Sequence, residues 1–258
     1  MQNNTFSTLF VGQNLIKLKE VDSTNNFLKD LVSKSEPLAE GTVIMADNQF
    51  AGRGQQESVW QTQAGKNIST SIYLKPSFLP LDKQFYLNIA VSLAVSDALL
   101  CFVPEGIKVK WPNDMYYLDK KLGGILIENT LTGSSIKSSV IGIGLNINQK
   151  EFPDNISQRA TSVIQILQKD VLLMDIMAKI FTFLEKYYLI LRAGKYTILQ
   201  NDYLAKLYNL NVWALYKQHG EVFEGRITGV EENGRLTVET KDGLKAFNFK
   251  EIEFTHTK

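Results

Sequence analysis

The stretch Lys108–Glu128, K-V-K-W-P-N-D-M-Y-Y-L-D-K-K-L-G-G-I-L-I-E, constrains the fold more than any other part of the chain. It reads as a strand (Ile107–Trp111), a tight connection at Pro112–Asn113–Asp114, and a second strand (Leu122–Glu128). Pro112 has no N–H for a ladder and Asn-Asp is turn chemistry, so the first strand ends there. Gly123 and Gly124 weaken an otherwise apolar strand, a cost that makes sense where another group must approach the backbone closely. With Lys121 beside them, the pattern points to a flat, anionic ligand lying on the strand. Lys-Lys or Gly-Gly taken alone also describes an ordinary hairpin with solvated lysines.

The flanking sequence supplies a mixed set of elements. Residues 15–22 alternate as a strand, Asp22-Ser23-Thr24 offers caps for a helix over 24–34, and Thr42–Ala46 is a short apolar strand. A loop follows over Asp47–Gln63, then a strand at Asn67–Leu74 and a helix over Lys83–Cys101. Ser138–Asn148 reads as a strand, and helices are expected at 161–168, 171–192 and 195–208. Helices on a mixed, largely antiparallel sheet make residues 1–208 an α+β domain. From residue 209 the pattern changes to short strands, Val212–Tyr216, Val222–Val230, Arg235–Thr240 and Leu244–Phe249. His219-Gly220, Asn233-Gly234 and Asp242-Gly243 mark the turns between them. Residues 209–258 therefore predict a small SH3-like β-barrel, too small to be stable alone and expected to pack on the larger domain.

Composition excludes several classes. The 258 residues are 44% hydrophobic and 21% charged, with a formal net charge of +1, so no basic field favours nucleic acid or an acidic membrane surface. No apolar run reaches the roughly 20 residues of a membrane span, and M-Q-N-N-T-F-S lacks signal-peptide character. A single cysteine excludes an internal disulfide framework and makes a cytoplasmic location the expectation. Cys101 reads as a buried small hydrophobe closing a helix. His219 and His256 lie far in sequence from every other candidate, and no nucleophile–histidine pattern or metal-ligand spacing is present.

K-W-P-N-D followed after six residues by K-L-G-G-I-L resembles the central motif of the biotin protein ligases, and three further segments agree over most of residues 20–150. These are Asp22-Ser23-Thr24-Asn25, Gln49-Phe50-Ala51-Gly52-Arg53-Gly54 with Trp60, and Gly142-Ile143-Gly144-Leu145-Asn146-Ile147-Asn148. By themselves the first is a helix cap, the second a flexible turn and the third a tightly packed strand. The resemblance implies more. Ser23 and Thr24, with Asn25, would bind the ureido group of biotin, and Gln49, Gly52 and Arg53 would make further biotin contacts. Lys121 would meet the carboxylate and the α-phosphate of ATP. Gly123 and Gly124 would bed the valeryl chain, while Gly142 and Gly144 form the pocket floor. Gly54, Trp60, Asn113, Asp114 and Asn146 would lie by the nucleotide, with Asp114 a candidate Mg²⁺ ligand. Lys121 and Arg53 are the expected catalytic pair. Arg159-Ala160-Thr161-Ser162 also matches but reads chiefly as a helix start.

The implied activity is ATP-dependent formation of biotinyl-5′-AMP and transfer of biotin to a lysine of a biotin carboxyl carrier domain, by a monomer or homodimer. About 14 residues precede the first strand, too few for the helix-turn-helix domain of repressor relatives, so no DNA partner is expected. The chain departs from the family pattern at Glu57, which replaces a glycine, and at Ser58, which replaces Arg or Asn. A carboxylate there would repel a bound phosphate unless it points outward. Two alternatives follow: a lipoate–protein ligase of the same superfamily, and a non-catalytic biotin-sensing protein.

Overall fold

The computed structural model describes residues 6–34, 37–55 and 59–255, so Glu57, Ser58 and His256 lie outside the described residues. Seven strands form one sheet in the order β1-β2-β3-β7-β6-β5-β4. They are β1 (Leu15–Val21), β2 (Val43–Gln49), β3 (Ile68–Leu74), β4 (Ile107–Lys110), β5 (Asp114–Tyr117), β6 (Lys120–Thr132) and β7 (Ser135–Leu145). Only β1 and β2 run parallel, so the sheet is mixed and largely antiparallel as the sequence predicts.

Helix α2 (Phe85–Leu100) is apolar on all faces and buried along nearly its whole length, as expected of a helix enclosed by the core. It packs one face of the sheet, and α5 (Leu173–Arg192) and α6 (Tyr196–Lys206) pack against it. The opposite face is covered at one end by α1 (Thr24–Lys34), where Leu28 meets Ile44, Tyr73 and Val140 in a small separate cluster. The remainder of that face is where ligand-sized space is left.

The central stretch differs from its predicted form. Between Pro112 and Leu122 lies a strand, β5, so the motif is a three-stranded meander rather than a hairpin. Met115 and Tyr116 are apolar and buried, which is why four residues after the Pro–Asn turn re-enter the ladder. β6 runs on to Thr132 and returns through Gly133 into β7, a hairpin whose turn lacks an Asn-Gly or Asp-Gly signal. Two short helices, α3 (Asp154–Ser157) and α4 (Val163–Leu167), precede α5. Ser162 caps α4, accepting from the Gln165 N–H at 3.4 Å.

The C-terminal strands are β8 (Trp213–Gln218), β9 (Glu221–Val230), β10 (Leu236–Thr240), β11 (Gly243–Phe247) and β12 (Glu253–Phe254). They form a five-stranded antiparallel sheet ordered β11-β10-β9-β8-β12. All three predicted turns occur, with Gly220, Gly234 and Gly243 at positive φ. Gly234 serves packing as well: a Cβ there would lie 2.5 Å from the Phe85 ring, and its carbonyl accepts the Trp111 indole N–H at 2.9 Å. Tyr216, Ile227, Leu236 and Phe247 join the same buried core as α2, so the small sheet is packed on the large one as expected.

Candidate functional site

Side chains alternate across a strand, so residues two apart share a face. On the face of the large sheet that α1 leaves open, β7 presents Gly142 and Gly144, β6 presents Gly124 and Leu126, and β3 presents Ser69 and Ser71. Leu126 apart, these are small residues, and they make a trough where larger ones would fill the space. A Cβ at Gly142 would fall 2.6 Å from Asn25 Oδ1, and one at Gly144 would fall 2.5 Å from the Trp60 indole. The trough opens into a cavity of about 490 Å³, closed above by Arg53, Gly54, Gln55, Val59 and Trp60 and at its far end by Phe249–Phe254 of the small sheet. That volume suits a ligand of drug size.

One end of the trough is polar and neutral. Ser23, Thr24 and Asn25 open α1, where the first N–H groups of a helix lack intrahelical partners. Gln49, at the end of β2, takes one of them: its Oε1 accepts the Thr24 N–H at 2.8 Å and the Thr24 hydroxyl at 3.0 Å. Asp22 accepts from Asn26 Nδ2 at 2.7 Å, and that bond, against partial burial, holds its carboxyl below the usual range. Ser71, fully buried on β3, reaches Thr24 Oγ1 at 2.8 Å and Asn25 Oδ1 at 2.5 Å.

The other end is charged. Lys121 Nζ lies 2.7 Å from Asp114 Oδ1 and 6.0 Å from the centroid of Trp60. Its backbone is pinned from outside the sheet, donating to Arg159 O at 2.8 Å and accepting from Thr161 N at 2.9 Å. Lys110 is not a solvated surface lysine. Its ammonium donates to Tyr116 Oη at 3.0 Å and lies 4.7 Å from the ring centres of both Tyr116 and Phe254. Burial pushes its pKa down to about 8, the nearby charges of Lys121 and Arg159 acting in the same sense and Asp114 opposing. Burial and Asp114 together raise the Tyr116 phenol. Along the cavity wall at this end three cations, Lys110, Lys121 and Lys250, face two carboxylates, Asp114 and Glu253, a balance that favours an anion.

Arg53 lines the cavity, but its guanidinium is turned to Glu128. Its guanidinium donates to both oxygens of Glu128, at 2.9 and 3.2 Å. Glu128 also accepts from Lys29 Nζ at 2.9 Å and Asn25 Nδ2 at 2.8 Å. Partial burial would raise this carboxyl, but the bonds from Lys29 and Asn25 and the charge of Arg53 outweigh that and hold it low.

Of the residues singled out by sequence, Ser23, Thr24, Asn25, Gln49, Arg53, Gly54, Trp60, Asn113, Asp114, Lys121, Gly124, Gly142 and Gly144 line this one cavity. Three do not. Gly123 points to the core side, where a Cβ would meet Leu145 Cδ2 at 2.4 Å and Gly144 O at 2.5 Å; its smallness serves strand packing. Asn146 is buried beyond the end of β7, donating to Thr161 O at 3.1 Å. Gly52 lies under the loop, its carbonyl accepting the Trp60 N–H at 2.9 Å. Cys101 is exposed rather than buried, at the C-terminal cap of α2. Ser69, Ser71, Glu128 and the 249–254 segment were missed. A hydroxyl run, Ser69-Thr70-Ser71, inside a fully buried strand was the available signal for the first two.

The chain resembles known proteins over nearly its whole length. Residues 18–146 match the biotin/lipoate A/B protein ligase family, and residues 211–254 match the biotin protein ligase C-terminal domain. The bifunctional ligase/repressor BirA of Bacillus spizizenii is 31% identical over 248 residues, 95% of this chain and 75% of the relative. The biotin–[acetyl-CoA-carboxylase] ligase of Paracoccus denitrificans is 24% identical over 92% of this chain and 99% of its own. Among solved structures, the biotin protein ligase of Aquifex aeolicus in complex with biotin and ATP superposes with a TM-score of 0.80 and 28% identity, covering 95% of this chain and 99% of that one. A trough floored by glycines, the family match and the C-terminal domain match agree, and the chain belongs to the biotin protein ligases of the biotin/lipoate A/B protein ligase family.

Proposed function

We propose that this chain joins biotin to ATP, giving biotinyl-5′-AMP and pyrophosphate, and then passes the biotinyl group to a lysine of a biotin carboxyl carrier domain. In the first step a carboxylate oxygen attacks the α-phosphorus and the bond to pyrophosphate breaks. In the second the lysine ε-amine attacks the acyl carbon and AMP leaves. The observation that carries the reading is one continuous trough with neutral hydrogen-bonding groups at one end and Lys121 at the other. An acid with a polar, uncharged head fits it head-first, its carboxylate delivered to the cations. A lipoyl head, a dithiolane, would leave the Gln49 amide hydrogens without a partner, which disfavours the lipoate alternative.

The enzyme needs no nucleophile of its own, and catalysis rests on positioning and on charge developing beside Lys121. Ser23, Thr24, Asn25 and Gln49 take the ureido head, and Gly124, Gly142 and Gly144 bed the chain. Trp60, Asn113 and Asp114 flank the nucleotide. Mg²⁺ characteristically binds through one or two carboxylates together with phosphates and waters. The carboxylate of Asp114, beside Lys121, suits that role, where the ion would neutralise phosphate charge; among the described residues no cluster of three or more metal-ligating groups offers another site. Residues 1–208 form the catalytic unit, and residues 209–258 close the nucleotide end through Phe249–Phe254. Among the described residues no helix is long and apolar enough to cross a membrane. The protein then works in the cytoplasm with its carrier substrate, as a monomer or homodimer.

Mass spectrometry after incubation with MgATP and equimolar biotin, lipoate and octanoate tests the reading. Biotinyl-AMP alone is the expected product. Lipoyl- or octanoyl-AMP would move the substrate to the neighbouring branch, and bound biotin without any adenylate would identify a sensor.

A further inference from the structure

The neutral end of the trough is wired to a carboxylate outside it. Glu128 Oε2 accepts from Asn25 Nδ2 at 2.8 Å, and the Asn25 Oδ1 accepts from the Ser71 hydroxyl at 2.5 Å. Ser71 Oγ lies 2.8 Å from Thr24 Oγ1, which lies 3.0 Å from Gln49 Oε1. Ser71 and Asn25 are 46 residues apart and Asn25 and Glu128 are 103 apart, so no local motif builds this chain. It has a direction. A carboxylate only accepts, so Asn25 must turn its amide hydrogens to Glu128 and its oxygen to Ser71. The single Ser71 proton then goes to Asn25, leaving the Ser71 lone pairs to Thr24. The single Thr24 proton is therefore used within the protein, on Ser71 or Gln49, and Thr24 Oγ1 has only lone pairs left for a ligand. Gln49, with Oε1 held by the Thr24 N–H at 2.8 Å, has its amide hydrogens left, and Nε2 donates to no protein group among the described residues.

We propose that Glu128 and Ser71 are positioning residues that set the hydrogen-bond polarity of the head pocket, so that Thr24 meets a bound biotin as an acceptor and Gln49 meets it as a donor. The proposal rests on the biotin reading above. A ureido group is a carbonyl flanked by N–H groups, so it needs both kinds of partner in fixed places. Lys29 and Arg53, at 2.9 Å from Glu128, keep the carboxylate ionised and so keep the direction single-valued. With an amide in place of Glu128, Asn25 can flip. The chain can then run the other way, with Thr24 keeping a proton for the cavity.

The test compares Glu128→Gln and Ser71→Ala with the wild type. It measures KM for biotin, for 2-iminobiotin (whose guanidinium donates on every side) and for ATP, together with Tm. The expected result is a biotin KM raised about tenfold, the worth of one hydrogen bond. The 2-iminobiotin KM rises at least as far, because its ring N–H groups lose the same Thr24 acceptor and its exocyclic N–H gains no partner, while ATP KM stays within about twofold and Tm is unchanged. A biotin KM that stays put, or a 2-iminobiotin KM that falls while that of biotin rises, overturns the proposal. So does a parallel rise in ATP KM with a lowered Tm. If Glu128→Gln does not fold after releasing Lys29 and Arg53, Ser71→Ala decides alone. Wild-type protein that makes no biotinyl-AMP would sink the functional reading itself rather than this inference.

Discussion

Adjacent glycines on β6 and a glycine on β7 face different surroundings, and alanine at each separates packing from ligand binding. At Gly123 an added Cβ meets Gly144 O at 2.5 Å and Leu145 Cδ2 at 2.4 Å. The first of these is backbone in a continuous ladder and cannot rotate away, so the strands must shift. Overpacking of this kind costs about 1–3 kcal/mol, and each kcal/mol lowers Tm by roughly 2–4 °C in a chain of this size. At Gly142 the Cβ meets Asn25 Oδ1 at 2.6 Å, on the trough face. Asn25 is held by Ser71 and Glu128, so it yields only by breaking those bonds. Displacing Asn25 takes one hydrogen-bonding partner from the biotin head, worth a rise in KM of roughly tenfold. Thermal unfolding and a pyrophosphate-release assay with varied biotin read the two effects. Gly123→Ala should lower Tm with biotin KM nearly unchanged, and Gly142→Ala should raise biotin KM with a smaller change in Tm. A Gly123→Ala protein of normal Tm with impaired biotin KM would refute the assignment of that glycine to the core side.

Lys121→Ala should slow adenylate formation by about 10²–10³-fold, the usual worth of a group aimed at developing charge, with the fold intact; near-normal turnover would remove Lys121 from the chemistry. Lys110 has a folded pKa near 8 against an ordinary 10.5, so between those values the unfolded chain binds the extra proton and stability rises with pH. Urea unfolding at pH 7.5 and 9.5 should therefore show wild-type protein gaining on Lys110→Met, and parallel curves would contradict the burial of that ammonium. Phe254→Ala should raise the KM for ATP several-fold while leaving calorimetric biotin binding unchanged, because Phe254 lines the cavity at its charged end; weakened biotin binding would show that the small sheet reaches the head pocket.

The sequence alone determined the parts that depend on neighbours along the chain. Strand alternation puts Gly142 and Gly144 on one face whatever lies around them. The turns at Gly220, Gly234 and Gly243 follow from a backbone conformation that glycine adopts without strain. The motif around Lys121 was specific enough to name the family, and the change of pattern near residue 209 separated the two sheets. Tertiary structure decided which face each element shows to what. Gly123 and Gly124 are indistinguishable in sequence. Their roles divide because β6 registers Gly124 against Gly144 over the trough and turns Gly123 toward Leu145 in the core. Ser71 and Glu128 carry no local mark of function either. They meet Asn25 only once β3, β6 and α1 are assembled, and a side chain's hydrogen-bond partner is set by the face that packing leaves it.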